Sequence, residues 1–257
     1  MRTRVEVVAC GAPGGRTALS VLAATGQLAV RRTGPETVHL VSAAAGPLGG
    51  DTVSVVLRVE DGARLAVRSV AASIVLPHRS GAPALSTVDV TVGDGASLDL
   101  ALCPTVVAAR AEWRGTLRVR LAAGAILSCT EQVVLGRAGE GPGRWEGTVR
   151  VERAGRPVLV STVHLGPGAD AWLPPFTPRA YVSTLRLGPP PAPEDPPGTG
   201  ESAVRLPLPG GHLLTGWGAD LTDVLTATAL LDRSAPTPAP DRASGHGARH
   251  CSTATGA

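Results

Sequence analysis

The chain has 257 residues, of which 43% are hydrophobic and 18% charged, with a formal net charge of +3. That length suits one elongated all-β unit or two small domains, and the apolar share is enough for a packed core. The charge is too small and too evenly spread for a nucleic-acid footprint, and no block of like charges occurs.

Aromatic residues make up 2% of the chain: Trp113, Trp145, Trp172, Trp217, Phe176 and Tyr181. The core must therefore be filled by Val, Leu and Ala. Such residues favour thin, closely layered sheets over a roomy ligand pocket, which is usually lined by aromatics. All 24 basic residues are arginine, a bias that a GC-rich coding sequence accounts for. The start Met-Arg-Thr-Arg-Val has no apolar signal core, and no stretch is long and apolar enough to predict a membrane span. The cysteines Cys10, Cys103, Cys129 and Cys251 form no Cys-x-x-Cys pair. They read as three buried thiols and one in a tail, and a reducing, cytoplasmic location is the expectation.

In chain order, Gly11 to Gly15 is Gly-rich but lacks the Gly-Lys-Ser/Thr ending of a phosphate loop, which a chain without lysine cannot supply. Thr52 to Val59, Ser86 to Val92, Thr116 to Leu121 and Gly147 to Val151 are rich in β-branched residues and bounded by Gly or Asp, so they read as strands. A short motif recurs between them. Val59-Glu-Asp-Gly62-Ala63-Arg-Leu65 is followed by Val92-Gly-Asp-Gly95-Ala96-Ser-Leu98 and Leu121-Ala-Ala-Gly124-Ala125-Ile-Leu127. Each copy is a strand end, a Gly turn and a new strand, with the Gly expected at φ > 0. A period of about 30 residues suggests stacked units. Leu102 to Ala111 is ambiguous between a helix starting at Pro104 and a β-branched strand. Gly210 to Asp232 is the best helix candidate, with Leu221, Leu225 and Ala229 on one face and Asp220 as cap. The Pro-rich stretch 189–200 reads as a loop. Residues 233–257 lack any apolar period and read as a disordered tail. The expected organisation is thus one β domain over 1–232 and a tail.

No catalytic constellation is evident. Gly-x-Ser-x-Gly is absent. Asp51, Glu112, Glu131, Glu140 and Glu146 could pair for acid–base work on sugars, but the scarcity of aromatics argues against saccharide subsites. His246, His250 and Cys251 offer nickel-compatible donors, yet they lie in the tail. His39, His78, His164 and His212 are isolated and read as ordinary polar or half-buried residues. No catalytic, cofactor-binding or metal-binding residue is assigned.

Several pieces in order resemble a known family. They are Gly15-Arg-Thr-Ala-Leu-Ser with Gly26-Gln-Leu-Ala-Val-Arg-Arg, then His39-Leu-Val-Ser with Ala45-Gly-Pro-Leu-Gly-Gly-Asp51. Asp61-Gly-Ala-Arg-Leu-Ala-Val-Arg-Ser69 with Ala71-Ala-Ser73 follows, and then Pro104-Thr-Val-Val. The closest piece is Thr130-Glu-Gln-Val-Val-Leu-Gly-Arg137 with Gly139-Glu140. Over roughly residues 4 to 232 the chain is similar to the urease accessory UreD (UreH) family. It departs from that pattern at Ile74, where the family carries Lys, and at Ser161, where Asp is common.

The resemblance implies an all-β fold of stacked, β-helix-like elongated sheets with about two short helices. It implies a non-enzymatic scaffold in nickel insertion, acting as part of a GTP-dependent chaperone. The implied partners are the urease apoprotein, a UreF-type helical accessory protein and a UreG-type GTPase, with no nucleic acid and no membrane. Nickel is expected in transit and no cofactor is expected to be bound tightly, because strong His/Cys sites would trap a metal that must be passed on. The alternative is a stacked-β interaction protein unrelated to urease.

Overall fold

The computed structural model describes residues 1–169, 178–189, 198–200 and 202–232. The candidate donors His246, His250 and Cys251, and the tail as a whole, lie outside them. In chain order the first strands are β1 (Arg2–Ala12), β2 (Arg16–Thr25), β3 (Leu28–Arg32), β4 (Thr37–Ser42), β5 (Thr52–Val59), β6 (Arg64–Ser69) and β7 (Ser73–Val75). There follow β8 (Ala84–Val92), β9 (Ser97–Ala101), β10 (Thr105–Val107), β11 (Glu112–Leu121), β12 (Ile126–Leu135), β13 (Arg144–Arg153) and β14 (Arg156–Leu165). The last elements are β15 (Ala180–Leu187), β16 (Gly198–Thr199), β17 (Ala203–Leu208), β18 (Gly211–Gly218) and one helix, α1 (Leu221–Asp232).

The strands form two sheets around one hydrophobic core. The first has the order β14-β13-β11-β8-β5-β1-β2, and the second runs β16-β17-β18-β15-β12-β9-β6-β4-β3 with β7 and β10 beside it. The four strands read from sequence are β5, β8, β11 and β13, neighbours in one parallel array. The sheets alternate along the chain: β5, β8 and β11 lie in one, and β6, β9 and β12 in the other. The repeated motif is the corner between them.

Register places the three copies on top of one another. Val59 pairs with Val92 and Val92 with Leu121. Leu65 pairs with Leu98 and Leu98 with Leu127. At the corner Ala63, Ala96 and Ala125 are fully buried, so a larger side chain there would have no space. Each Asp-Gly turn is tied to the next: Asp61 Oδ1 accepts the Asp94 amide at 2.8 Å, and Asp94 Oδ1 accepts the Gly124 amide at 2.7 Å. The third copy carries Ala123 in place of that Asp. No fourth turn follows, because β13 folds back antiparallel onto β14 through Ala154 and Gly155. The column Val59, Val92, Leu121 ends on Arg153, which is only 7% exposed. Its Nη1 donates to the Gly188 carbonyl, while Nε and Nη2 have no hydrogen-bond partner among the described residues.

Three expectations change. Gly62 and Gly95 have φ of 67° and 63°, but Gly124 is not in the left-handed region; its amide is held by Asp94 instead. The helix expected over 210–232 begins only at Leu221, where Asp220 Oδ1 caps the Thr222 amide at 2.7 Å. Residues 211–218 are a strand buried on both faces, by the core and by α1, so no period-two alternation marks it. The second helix is absent from the described residues: Thr105–Val107 is a strand paired with β7 and β12. Its β-branched run prevails, and Arg110 at φ 64° breaks any helical continuation. Of the Pro-rich stretch, Gly198 and Thr199 form the short strand β16, and 190–197 lie outside the described residues.

A second internal repeat is visible in the register. Glu112-Trp113-Arg-Gly115-Thr116 lies beside Arg144-Trp145-Glu-Gly147-Thr148, residue for residue.

Gly95→Val should lower stability by about 1–3 kcal/mol, the usual cost of a non-glycine residue forced to positive φ. Gly124→Ala should cost less, since only the Asp94 side chain, 2.7 Å from the added Cβ, must move. Chemical denaturation of the two variants checks the order, and equal losses would contradict it.

Candidate functional site

The most distinctive interior feature is a hollow between the two sheets, a cavity of about 160 Å³. It arises from column chemistry. Across the first sheet, Val53, Ser86, Gly115, Gly147 and Val163 are successive neighbours on the core side. The middle of that column has almost no side chain. Facing it from the second sheet are Leu40, Leu100 and Cys129. The closely layered sheets expected from the composition thus enclose a small hollow, because small residues stacked on small residues leave space between the layers.

The two glycines of the column are used differently. At Gly147 the indole of Trp145 occupies the space, its Cη2 lying 2.6 Å from where a Cβ would be. Trp145 is 1% exposed and packs on Tyr181 with ring centroids 4.9 Å apart. At Gly115 the space stays open, and the Glu131 carboxyl projects toward it, with Oε1 3.8 Å from the absent Cβ. Strand alternation sends Glu131 there. Leu127, Cys129, Val133 and Leu135 of β12 are all buried, and Glu131 occupies the remaining position of that core-facing row.

Burial alone pushes the Glu131 carboxyl up to about 7. Among the described residues no hydrogen bond to it is found, and its exposed surface faces the cavity. The Cys129 thiol is pushed up to about 12, first by burial and then by the Glu131 and Asp99 charges. It stays protonated near neutrality and is a weak metal ligand there. Cys103 lines the same cavity, its thiol donating to the Ser69 carbonyl at 3.4 Å. With Ser69, Ser73 and Thr105 it makes a polar stretch where β6 passes into β7 and β9 into β10. The hollow thus offers one carboxyl, two thiols and several hydroxyls. Among the described residues no cluster of three or more His, Cys, Asp or Glu could hold a metal.

The other carboxylates are dispersed and occupied. Asp51 is 5% exposed. Its burial disfavours the charge, but bonds from the Met1 ammonium, the Leu48 amide (2.9 Å) and Gln27 (2.6 Å) prevail and hold it below its ordinary value. Glu112 and Glu146 lie on the outer face of the first sheet with Arg114, Arg144 and His164. Glu140 is held by the Arg137 guanidinium, and it also accepts the Arg137 amide at 3.2 Å and the Ala109 amide at 3.4 Å. The Arg137 side chain, ahead of the two amides, pulls its carboxyl down to about 2. The Gly-Arg…Gly-Glu piece therefore closes a loop. Arg179 completes it, bonding the carbonyls of Leu135 and Glu140 at 3.1 and 2.7 Å.

Among the histidines, His39 meets Thr33 at 2.7 Å and His78 meets Ser80 at 2.8 Å. His164 is exposed. His212 is fully buried, 3.5 Å from Asp232, and not half-buried as expected. Cys10 and Cys103 are only partly buried, which leaves Cys129 as the one thiol of the expected three that is fully buried. Sequence reasoning grouped Glu131 with four unrelated carboxylates. The signal that singles it out is a lone charge in the apolar phase of an alternating strand.

The raised Glu131 value sets a pH dependence. The folded state binds its proton more tightly than the unfolded chain, whose carboxyl titrates near the ordinary 4.5. Stability therefore falls as pH rises from that value through about 7, and the deficit stays constant above. Glu131→Gln should remove the deficit, stabilising the protein at pH 8 by on the order of 1–3 kcal/mol and by much less at pH 5. Denaturation at both pH values checks this, and a difference independent of pH would contradict it. Glu140 has the opposite sign: its contribution is full above about 4.5 and is lost as pH falls through about 2.

Comparison with known proteins adds a family. A profile of the UreD urease accessory protein matches residues 2–197. Urease accessory protein UreD of Streptomyces coelicolor is 39% identical over 242 residues, covering 90% of this chain and 94% of that one. The Frankia alni protein of the same name is 45% identical over 157 residues, 60% of this chain and 49% of that one. Urease accessory protein UreD 3 of Streptomyces griseus is 42% identical over 166 residues, 61% of this chain and 65% of that one. The match thus spans about half the length of the Frankia protein and nearly all of the Streptomyces coelicolor one.

Proposed function

Since the chain belongs to the UreD urease accessory protein family, we propose that it serves urease maturation as a scaffold in nickel insertion, without catalytic chemistry of its own. The family match over residues 2–197 carries this reading. It takes precedence over the alternative of an interaction protein unrelated to urease. The partners in this reading are the urease apoprotein, a UreF-type helical protein and a UreG-type GTPase in the cytoplasm. Nucleotide hydrolysis belongs to the GTPase, because a chain without lysine has no phosphate-loop lysine.

In this reading Ni²⁺ is cargo. The hollow beside Glu131 suits a passage better than a store. A single carboxyl, hydroxyls and the protonated Cys129 thiol hold a divalent ion weakly, whereas clustered imidazoles or thiolates would retain it. Glu131 supplies one anionic foothold when it loses its proton, and the apolar remainder of the wall supplies none.

Cells carrying urease genes but lacking this protein should produce assembled urease with severalfold less nickel per active site and little activity, when nickel is limiting. Metal analysis of the purified enzyme, with and without the protein, is the test. Equal nickel content and equal activity would refute the maturation role. Full rescue by Glu131→Gln would keep the scaffold and remove Glu131 from the route.

A further inference from the structure

Strand β2 is the outermost strand of the seven-stranded sheet, and it is ten residues long. Its only charged residue is Arg16, at its start. Val21 and Leu22 are 36% and 38% exposed, and Ala18, Ser20 and Ala23 are exposed as well. Proteins normally blunt such an edge with charge, proline or brevity. Among the described residues the other ends of the two sheet orders are blunted in those ways, and the further edge strand β7 is three residues long. β14 opens on Arg156-Pro157 and carries an irregularity opposite Val151 and Glu152. β3 ends in Arg31-Arg32, and β16 is two residues long. β2 has no proline, and its one charge lies at its start; its one irregularity is a bulge at Ser20.

Its geometry also has a particular symmetry. Val8 of β1 pairs with Val21 and Ala9 with Leu19, so Ser20 is an extra residue, a β-bulge. In a regular strand Leu19 and Leu22 would point to opposite faces. The bulge puts both on the core side, opposite Ala9 and Val7, which are fully buried. If β2 is laid antiparallel against a second β2 about a two-fold axis between Ser20 and Val21, Leu19 of each copy meets Leu22 of the other. Ala18 then meets Ala23, and Arg16 meets Thr25, so no like charges face each other. Both leucine pairs fall on the face that continues the core. The match requires the bulge, and it closes on itself as an isologous contact must.

We propose that this chain forms a two-fold dimer through antiparallel pairing of β2 with β2 of a second copy, in the register that brings Leu19 beside Leu22. The two sheets become one continuous fourteen-stranded sheet. Main-chain hydrogen bonds then use the free edge, and Val21 and Leu22 lose their exposure. The occupant is a second copy because the strand laid on itself sets Leu19 against Leu22 and Ala18 against Ala23 on matching faces and brings no like charges together. This inference is independent of the maturation role.

The test uses the purified full chain. Light scattering coupled to size exclusion should give twice the chain mass. Val21→Lys combined with Leu22→Lys should give a monomer with an unchanged circular dichroism spectrum. Register is tested by disulfide trapping in a Cys10→Ser background, since Cys10 lies beside Ala18 on β1. A mixture of Ala18→Cys and Ala23→Cys proteins should cross-link under oxidation, and neither alone should. This arm stands even if the double-lysine variant fails to fold. A monomer at the highest soluble concentration overturns the proposal. So does a dimer that survives the double substitution with its fold intact, or one that cross-links in the single-variant controls but not in the mixture.

Discussion

Parallel strands stacked in register place equivalent residues in columns about 4.8 Å apart from strand to strand. A column behaves as one object: its members must agree in size and polarity, or the stack shifts. The corner column of Ala63, Ala96 and Ala125 is fully buried and carries one methyl per layer. The column of Val53, Ser86, Gly115 and Gly147 shrinks as it crosses the sheet. The first sets how tightly the coils pack, and the second sets where they part. The hollow beside Gly115 and the indole seated over Gly147 both follow from that second column, one glycine left open and the next covered.

The charged residues divide into two kinds. Asp51 and Glu140 belong to the pieces of sequence that mark the family resemblance, and each accepts bonds both from its own loop and from a segment distant in the chain. Their hydrogen bonds hold backbone that no regular sheet would hold, beside glycines at positive φ such as Gly50, Gly136 and Gly139. Glu131 lies in the closest of the matched pieces, yet it forms no such clamp. It has no bonding partner among the described residues and faces open space. In this fold a motif residue with every lone pair engaged is a builder. Under the proposed role, Glu131 is the carboxyl of the matched pieces that a passing ion would meet in the hollow.

What could be read in advance depended on whether a signal was local. The Asp-Gly-Ala turn has a distinctive composition, so the stacking and its period were legible. The four strands that alternate or run apolar within a single array were legible too. Strand β18 was not, because α1 covers its outer face and erases the alternation. The left-handed glycine at the third turn was expected by analogy with the first two, but Ala123 has replaced the Asp there and the turn is held from below by Asp94. The Trp-x-Gly pair gives no local signal, since its meaning lies in a register between strands and not in either strand. The hollow itself was invisible, as an absence of side chains in one column is spread over residues far apart in the chain.

The end of the stack has a consequence for how such a molecule can change in length. The column Val59, Val92, Leu121 terminates on Arg153, a guanidinium lodged in apolar surroundings and tethered to the Gly188 carbonyl. Duplicating an interior coil would add one more apolar layer and displace nothing at either end. Duplicating the coil that bears Arg153 would enclose a second cation in the core at a cost no single layer could offset. Growth by repetition is therefore open from the middle and closed at this terminus. The stack is in effect a ruler whose gradations are the Asp-Gly corners and whose stop is one arginine.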